Sequence, residues 1–82
     1  MKIYGYKDED LSIEQIEPSI LAEITICGSS IELRKIAAFL NVAADNMERL
    51  GVKFDHEHLA DKYSCFNDSP HFVVFNSDNL EK

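Results

Sequence analysis

The chain has no tryptophan, only three glycines, two prolines and two cysteines. Nowhere does it hold a run of about 18 apolar residues, the shortest that reads as a membrane span. Each scarcity excludes something. Three glycines leave no phosphate-cradling loop, and neither a GxSxG elbow nor an HExxH helix is present. Cys27 and Cys65 stand alone, without CxxC or zinc-ligand spacing, so neither a disulfide scaffold nor a zinc ribbon is expected. Reduced thiols in the cytoplasm fit that usage. The segment Met1 to Tyr6 has no basic stretch leading into an apolar one, so it does not read as a secretory leader.

Positive charge is also scarce. Eight basic side chains stand against fifteen acidic ones, for a net charge of -7. Such a surface repels phosphate backbones and anionic membranes and attracts basic proteins, so neither nucleic acid nor membrane is an expected partner. What the chain does have is 45% hydrophobic and 28% charged residues, a globular composition rather than a disordered one. Its 82 residues fit a single domain, 1–82, ending in a polar tail at 77–82. A chain of this size buries only about 60 to 65% of its unfolded surface, so its core must be thin.

Short-range pattern places the elements. Lys2 to Tyr6 is aromatic and β-prone and predicts a first strand. Lys7 to Ser19 is an acidic connection, with room for a turn or extra strand around Leu11, Ile13 and Ile16. Ile20 to Cys27 alternates with period two, setting Ile20, Ala22, Ile24 and Ile26 on one side and Leu21, Glu23, Thr25 and Cys27 on the other, and predicts a second strand. Ser29 with Glu32 three residues on is a capping-box pattern, and Gly51 is the expected C-terminal stop, so a helix is predicted over Ser30 to Leu50. On a helical projection Leu33, Ile36, Ala37, Phe39, Leu40, Ala43, Ala44, Met47 and Leu50 share one broad arc, the expected core face. Asp55 to Phe66 predicts a short helix or turn, and His71 to Asn76 a last strand. The expected fold is α+β: a small sheet of three strands, or four if 11–16 adds one, with the long helix on one face. Its other face, carrying Tyr4, Tyr6 and two apolar residues of the last strand, is the expected association surface.

One polar cluster invites a chemical reading. Asp55, His56, Glu57 and His58 run together, with Asp61 close behind and His71 further on. Imidazole and carboxylate are the ligand types of zinc and iron, so His56, His58, Asp61 and His71 are the candidates for a small metal-binding or hydrolytic protein. Spacing opposes this on a helix, where His56 and His58 diverge; only an extended backbone puts them on one face. Solvated caps and hydrogen-bond partners are the expected roles, with no metal and no cofactor. Cys65 with His71, or Ser64 with His58, form no recognisable nucleophile and base pair, and Cys65 beside Phe66 reads as a small buried hydrophobe. Catalysis is not expected.

The runs KIYGY, ITICGSSIELRKIAAFL, NMERLG, FDHEHLADKY and SPHFVVFN together resemble a family of short bacterial proteins, the immunity proteins of polymorphic toxin systems, type thirty-two. The resemblance covers nearly the whole chain and rests most on SSIELRKIAAFL and HEHLADKY, neither of which is a catalytic signature. It implies a cytoplasmic, non-catalytic protein that binds and neutralises a cognate toxin, and charge complementarity would suit a basic one. From the residues themselves, Tyr4 and Tyr6 are the expected anchors. Asp8, Glu9, Asp10, Glu14, Glu23, Asp55 and Glu57 are the expected acidic contacts. A homodimer that pairs the open sheet face or an edge strand with a second copy is the remaining alternative.

Overall fold

The computed structural model describes residues 1–8 and 17–80. Strands β1 (Tyr4–Gly5) and β2 (Ser19–Ile20) form one antiparallel pair, with Tyr4 opposite Ile20. Helix α1 spans Ser30–Leu50 and is followed by a 3-10 turn at Gly51–Lys53. Strand β3 (His56–His58) leads into a single helical turn, α2 (Leu59–Lys62), and a second 3-10 turn at Ser64–Phe66. Strand β4 (Val73–Phe75) pairs antiparallel with β3, and α3 (Ser77–Leu80) closes the described chain. The class is α+β as expected. Among the described residues the single three-stranded sheet is not formed; they hold two separate two-stranded ones.

Helix α1 begins and ends at the predicted residues, begins for the predicted reason, and ends at a Gly51 whose backbone has positive φ without the left-handed helical conformation expected of it. The Ser29 hydroxyl accepts from the Glu32 amide at 3.2 Å, and the Glu32 carboxylate accepts from the Ser29 amide at 2.8 Å. Two of the amides that every helix start leaves unpaired are thus satisfied reciprocally. Those bonds to Ser29 hold the Glu32 carboxyl below its ordinary range. A carboxylate with a lowered folded pKa stabilises above its unfolded value and loses that contribution as pH falls through the folded one. The cap therefore weakens in acid. Ser29→Ala should lower stability by about 1 kcal/mol, measurable by urea unfolding at neutral pH. At the other end Gly51 has φ +56°, ψ -133°, a backbone region open to glycine and strained for other residues.

The core is drawn from α1 and the segments that follow it. Ile36, Phe39, Leu59 and Phe66 form its centre, with Ala60, Tyr63, Phe72 and Val74 packed around them; Ala43 and Phe54 are also buried. Phe39 meets Phe72 edge to face, ring centres 6.2 Å apart. Helix α1 thus packs on β4 and on the α2 turn rather than on the N-terminal strands. Of the expected core arc, Ile36, Phe39 and Ala43 are buried and Met47 is half-buried, whereas Leu33, Ala37, Leu40, Ala44 and Leu50 are exposed. The isoleucine strand is the largest departure. Among the described residues only Ser19–Ile20 of it pairs, backed by one further bond from the Leu21 amide to the Ile3 carbonyl, and Ile20, Ala22, Ile24 and Ile26 are all exposed. Period-two alternation makes a segment fit a sheet, but a strand also needs a neighbouring ladder.

The described part of the polar tail, up to Leu80, forms the turn α3. Asn79 donates to the Phe54 carbonyl at 3.0 Å and the Val52 carbonyl at 3.3 Å, tying α3 back to the end of α1.

Candidate functional site

Residues 56–58 are extended, because β4 offers them a ladder: His56 lies opposite Phe75, Glu57 opposite Val74 and His58 opposite Val73. Alternation along both strands then sorts the side chains. Glu57, Phe72 and Val74 turn inward and are half-buried; His56, Val73 and Phe75 are exposed on the outer face, which His58 shares. The His56 ring stacks on Phe75 with centres 5.0 Å apart and planes 20° from parallel. His58 stands edge-on to His56 at 5.2 Å and to His71 at 6.3 Å. All three histidines of the chain therefore join Phe75 in one row of rings, braced from behind by the core.

Asp55 sits at the end of this row, and its carboxylate lies 2.8 Å from His56 Nδ1. That contact fixes the ring and keeps an acidic group beside the aromatic row. Glu57 serves the interior: one carboxylate oxygen accepts from Asn46 of α1 at 3.2 Å, and the other is buried with no partner among the described residues. It also lines a shallow recess with Phe39, Val42, Lys62 and Tyr63. Among the described residues no group of three or more His, Cys, Asp or Glu side chains is arranged to hold a metal ion. Of the candidate ligands His56, His58, Asp61 and His71, the structure gathers the three imidazoles and leaves Asp61 exposed on α2.

Tyr4 and Tyr6 are exposed, but on the β1–β2 pair, so they share no sheet face with Val73 and Phe75. Asp8 and Glu23 are exposed as well. Glu9, Asp10 and Glu14, with Leu11, Ile13 and Ile16, lie outside the described residues. Among described helices none is long and apolar enough to cross a membrane.

Cys65 is exposed, not buried as its neighbour Phe66 suggested, because the 3-10 turn at Ser64–Phe66 sends Phe66 inward and leaves Cys65 outside. Its sulfur lies 3.5 Å from Lys35 Nζ. Cys27 is exposed too. Both thiols should react rapidly with a chromogenic disulfide reagent in the native protein. Release of one equivalent, or none until denaturant is added, would contradict that placement.

One residue of structural weight was not marked by sequence: Asn76 is 2% exposed, the one buried polar side chain among the described residues. On the association face the sequence left open the choice between Phe72 with Val74 and Val73 with Phe75, and the structure puts Val73 and Phe75 outside, Phe75 stacked on His56. HFVVFN alternates only weakly, so nothing in it tells which of Phe72 and Phe75 faces out. No family model, curated protein or solved structure matches this chain.

Proposed function

We propose that the protein is a non-catalytic binding module, an immunity protein that captures a basic protein toxin in the cytoplasm, with the outer face of β3–β4 as its anchoring surface. The observation that carries this reading is the outward-facing row of His71, His58, His56 and Phe75, of which all but the half-buried His58 are exposed, on a sheet whose inner face is packed on the core. Rings held in place before binding lose little freedom on contact, and flat aromatic groups supply much of the energy in protein interfaces. Asp55 at the end of the row and the net charge of -7 favour a basic partner and speed its approach. The identification of that partner as a toxin rests on the resemblance of SSIELRKIAAFL and HEHLADKY to immunity proteins.

Co-expression with the toxin encoded beside it is the direct test. The wild-type protein should protect the host and co-purify with the toxin. Phe75→Ala should weaken binding at least about 100-fold, the scale of a central aromatic anchor, while circular dichroism stays native. Full protection by Phe75→Ala together with loss of protection by Tyr4→Ala and Tyr6→Ala would move the surface to β1–β2. No protection and no binding would end the reading.

A further inference from the structure

Helix α1 carries a second apolar surface that the core does not use. Leu33, Ala37, Leu40 and Ala44 fall within about 60° of one another around the helix axis. All four are exposed, Leu33 by 44% and Leu40 by 43%. One border of this stripe is the core side, with Ile36 and Met47. Along the other border lie Arg34 near the start of the helix and Asp45 and Glu48 near its end.

We propose that this stripe is the interface of a homodimer, in which α1 packs antiparallel against α1 of a second copy about a two-fold axis. Two observations select this occupant. The stripe alternates large and small, and in an antiparallel pair related by a two-fold axis between Ala37 and Leu40 each Leu33 faces an Ala44 and each Ala37 a Leu40. Ridges thereby enter gaps along its whole length. The charged border suits that orientation: Arg34 of one copy comes beside Asp45 and Glu48 of the other, whereas a parallel pair sets this border against the core-side border of the partner helix and leaves the charges unmatched. This dimer leaves the β3–β4 outer face to the partner proposed above.

Analytical ultracentrifugation of the untagged protein tests it, with folding of every variant checked by circular dichroism. The wild type should sediment at twice the 9.3 kDa chain mass at micromolar concentration. Leu40→Glu, a change at an exposed position, should give a folded monomer. Arg34→Glu should raise the dimer dissociation constant about 100-fold by setting like charges together. Adding Asp45→Arg and Glu48→Arg to it should restore the dimer. Phe75→Ala should leave the mass unchanged, which separates this interface from the binding face. A wild-type monomer, a dimer that Leu40→Glu leaves intact, or a charge swap that fails to restore the mass each overturns the proposal.

Discussion

Phe39→Ala should unfold this protein or bring it to the edge of unfolding, while Leu40→Ala, one residue along the same helix, should leave the monomer's stability almost unchanged. Phe39 is 2% exposed, lies in the core with Ile36, Leu59 and Phe66, and meets Phe72 edge to face. Truncating a buried phenylalanine removes its transfer energy and leaves a cavity that a thin core cannot refill, a cost of about 3 to 5 kcal/mol. A domain of this size holds a total of only about 4 to 12 kcal/mol. Leu40 is 43% exposed, so its truncation should cost under about 1 kcal/mol in the isolated chain. Urea unfolding by circular dichroism at low protein concentration measures both. Equal losses for the two variants would show that the helix buries its apolar arc evenly, against the geometry described above.

That contrast also marks how far the helix was legible from sequence. Its ends were local: Ser29 and Glu32 close the capping box, Gly51 supplies the positive φ, and 3.6-residue periodicity fills the space between. Its packing was not local. Amphipathicity reports how wide an apolar arc is, not how much of it the rest of the chain can reach. The core draws on Ile36, Phe39 and Ala43 of the helix, and Leu33 and Leu40, on the adjoining part of the arc, fall outside it. The isoleucine segment shows the same limit in a strand. Its alternation is strong, but the described part of the first strand is two residues long and provides a ladder only as far as Leu21.

The histidine row shows the converse. Read locally, Asp55 to Phe66 has a cap and apolar spacing suited to a helix, and a helix would have separated His56 from His58. A distant partner decided otherwise: pairing with Val73–Phe75 makes residues 56–58 extended, and the helical turn starts only at Leu59. The sequence condition was stated correctly, since an extended segment does place both imidazoles on one face. Which condition applied depended on a contact between residues about fifteen positions apart, beyond the reach of periodicity.

Asn76→Ala should be the second most damaging change, at about 3 kcal/mol, although nothing in the sequence separates Asn76 from the chain's other asparagines. Its side-chain amide donates to the Gly51 carbonyl at 3.0 Å and the Phe54 carbonyl at 3.1 Å, and its oxygen accepts from the Asp78 amide at 3.1 Å. One buried group thereby joins the end of α1, the turn into β3 and the start of α3. Truncation leaves the carbonyl of Phe54 with a donor, because Asn79 also reaches it, but takes the side-chain donor from Gly51 and the acceptor from Asp78. The cost should therefore be that of two orphaned groups rather than three. Asn76→Asp separates bonding from packing: it keeps the shape and the acceptor for Asp78, yet turns a carboxylate oxygen toward two carbonyls. It should destabilise at neutral pH at least as much as alanine does. If aspartate instead unfolds with the wild type in urea, filling the space is what Asn76 contributes, and the lock between α1 and α3 is held by Asn79 alone.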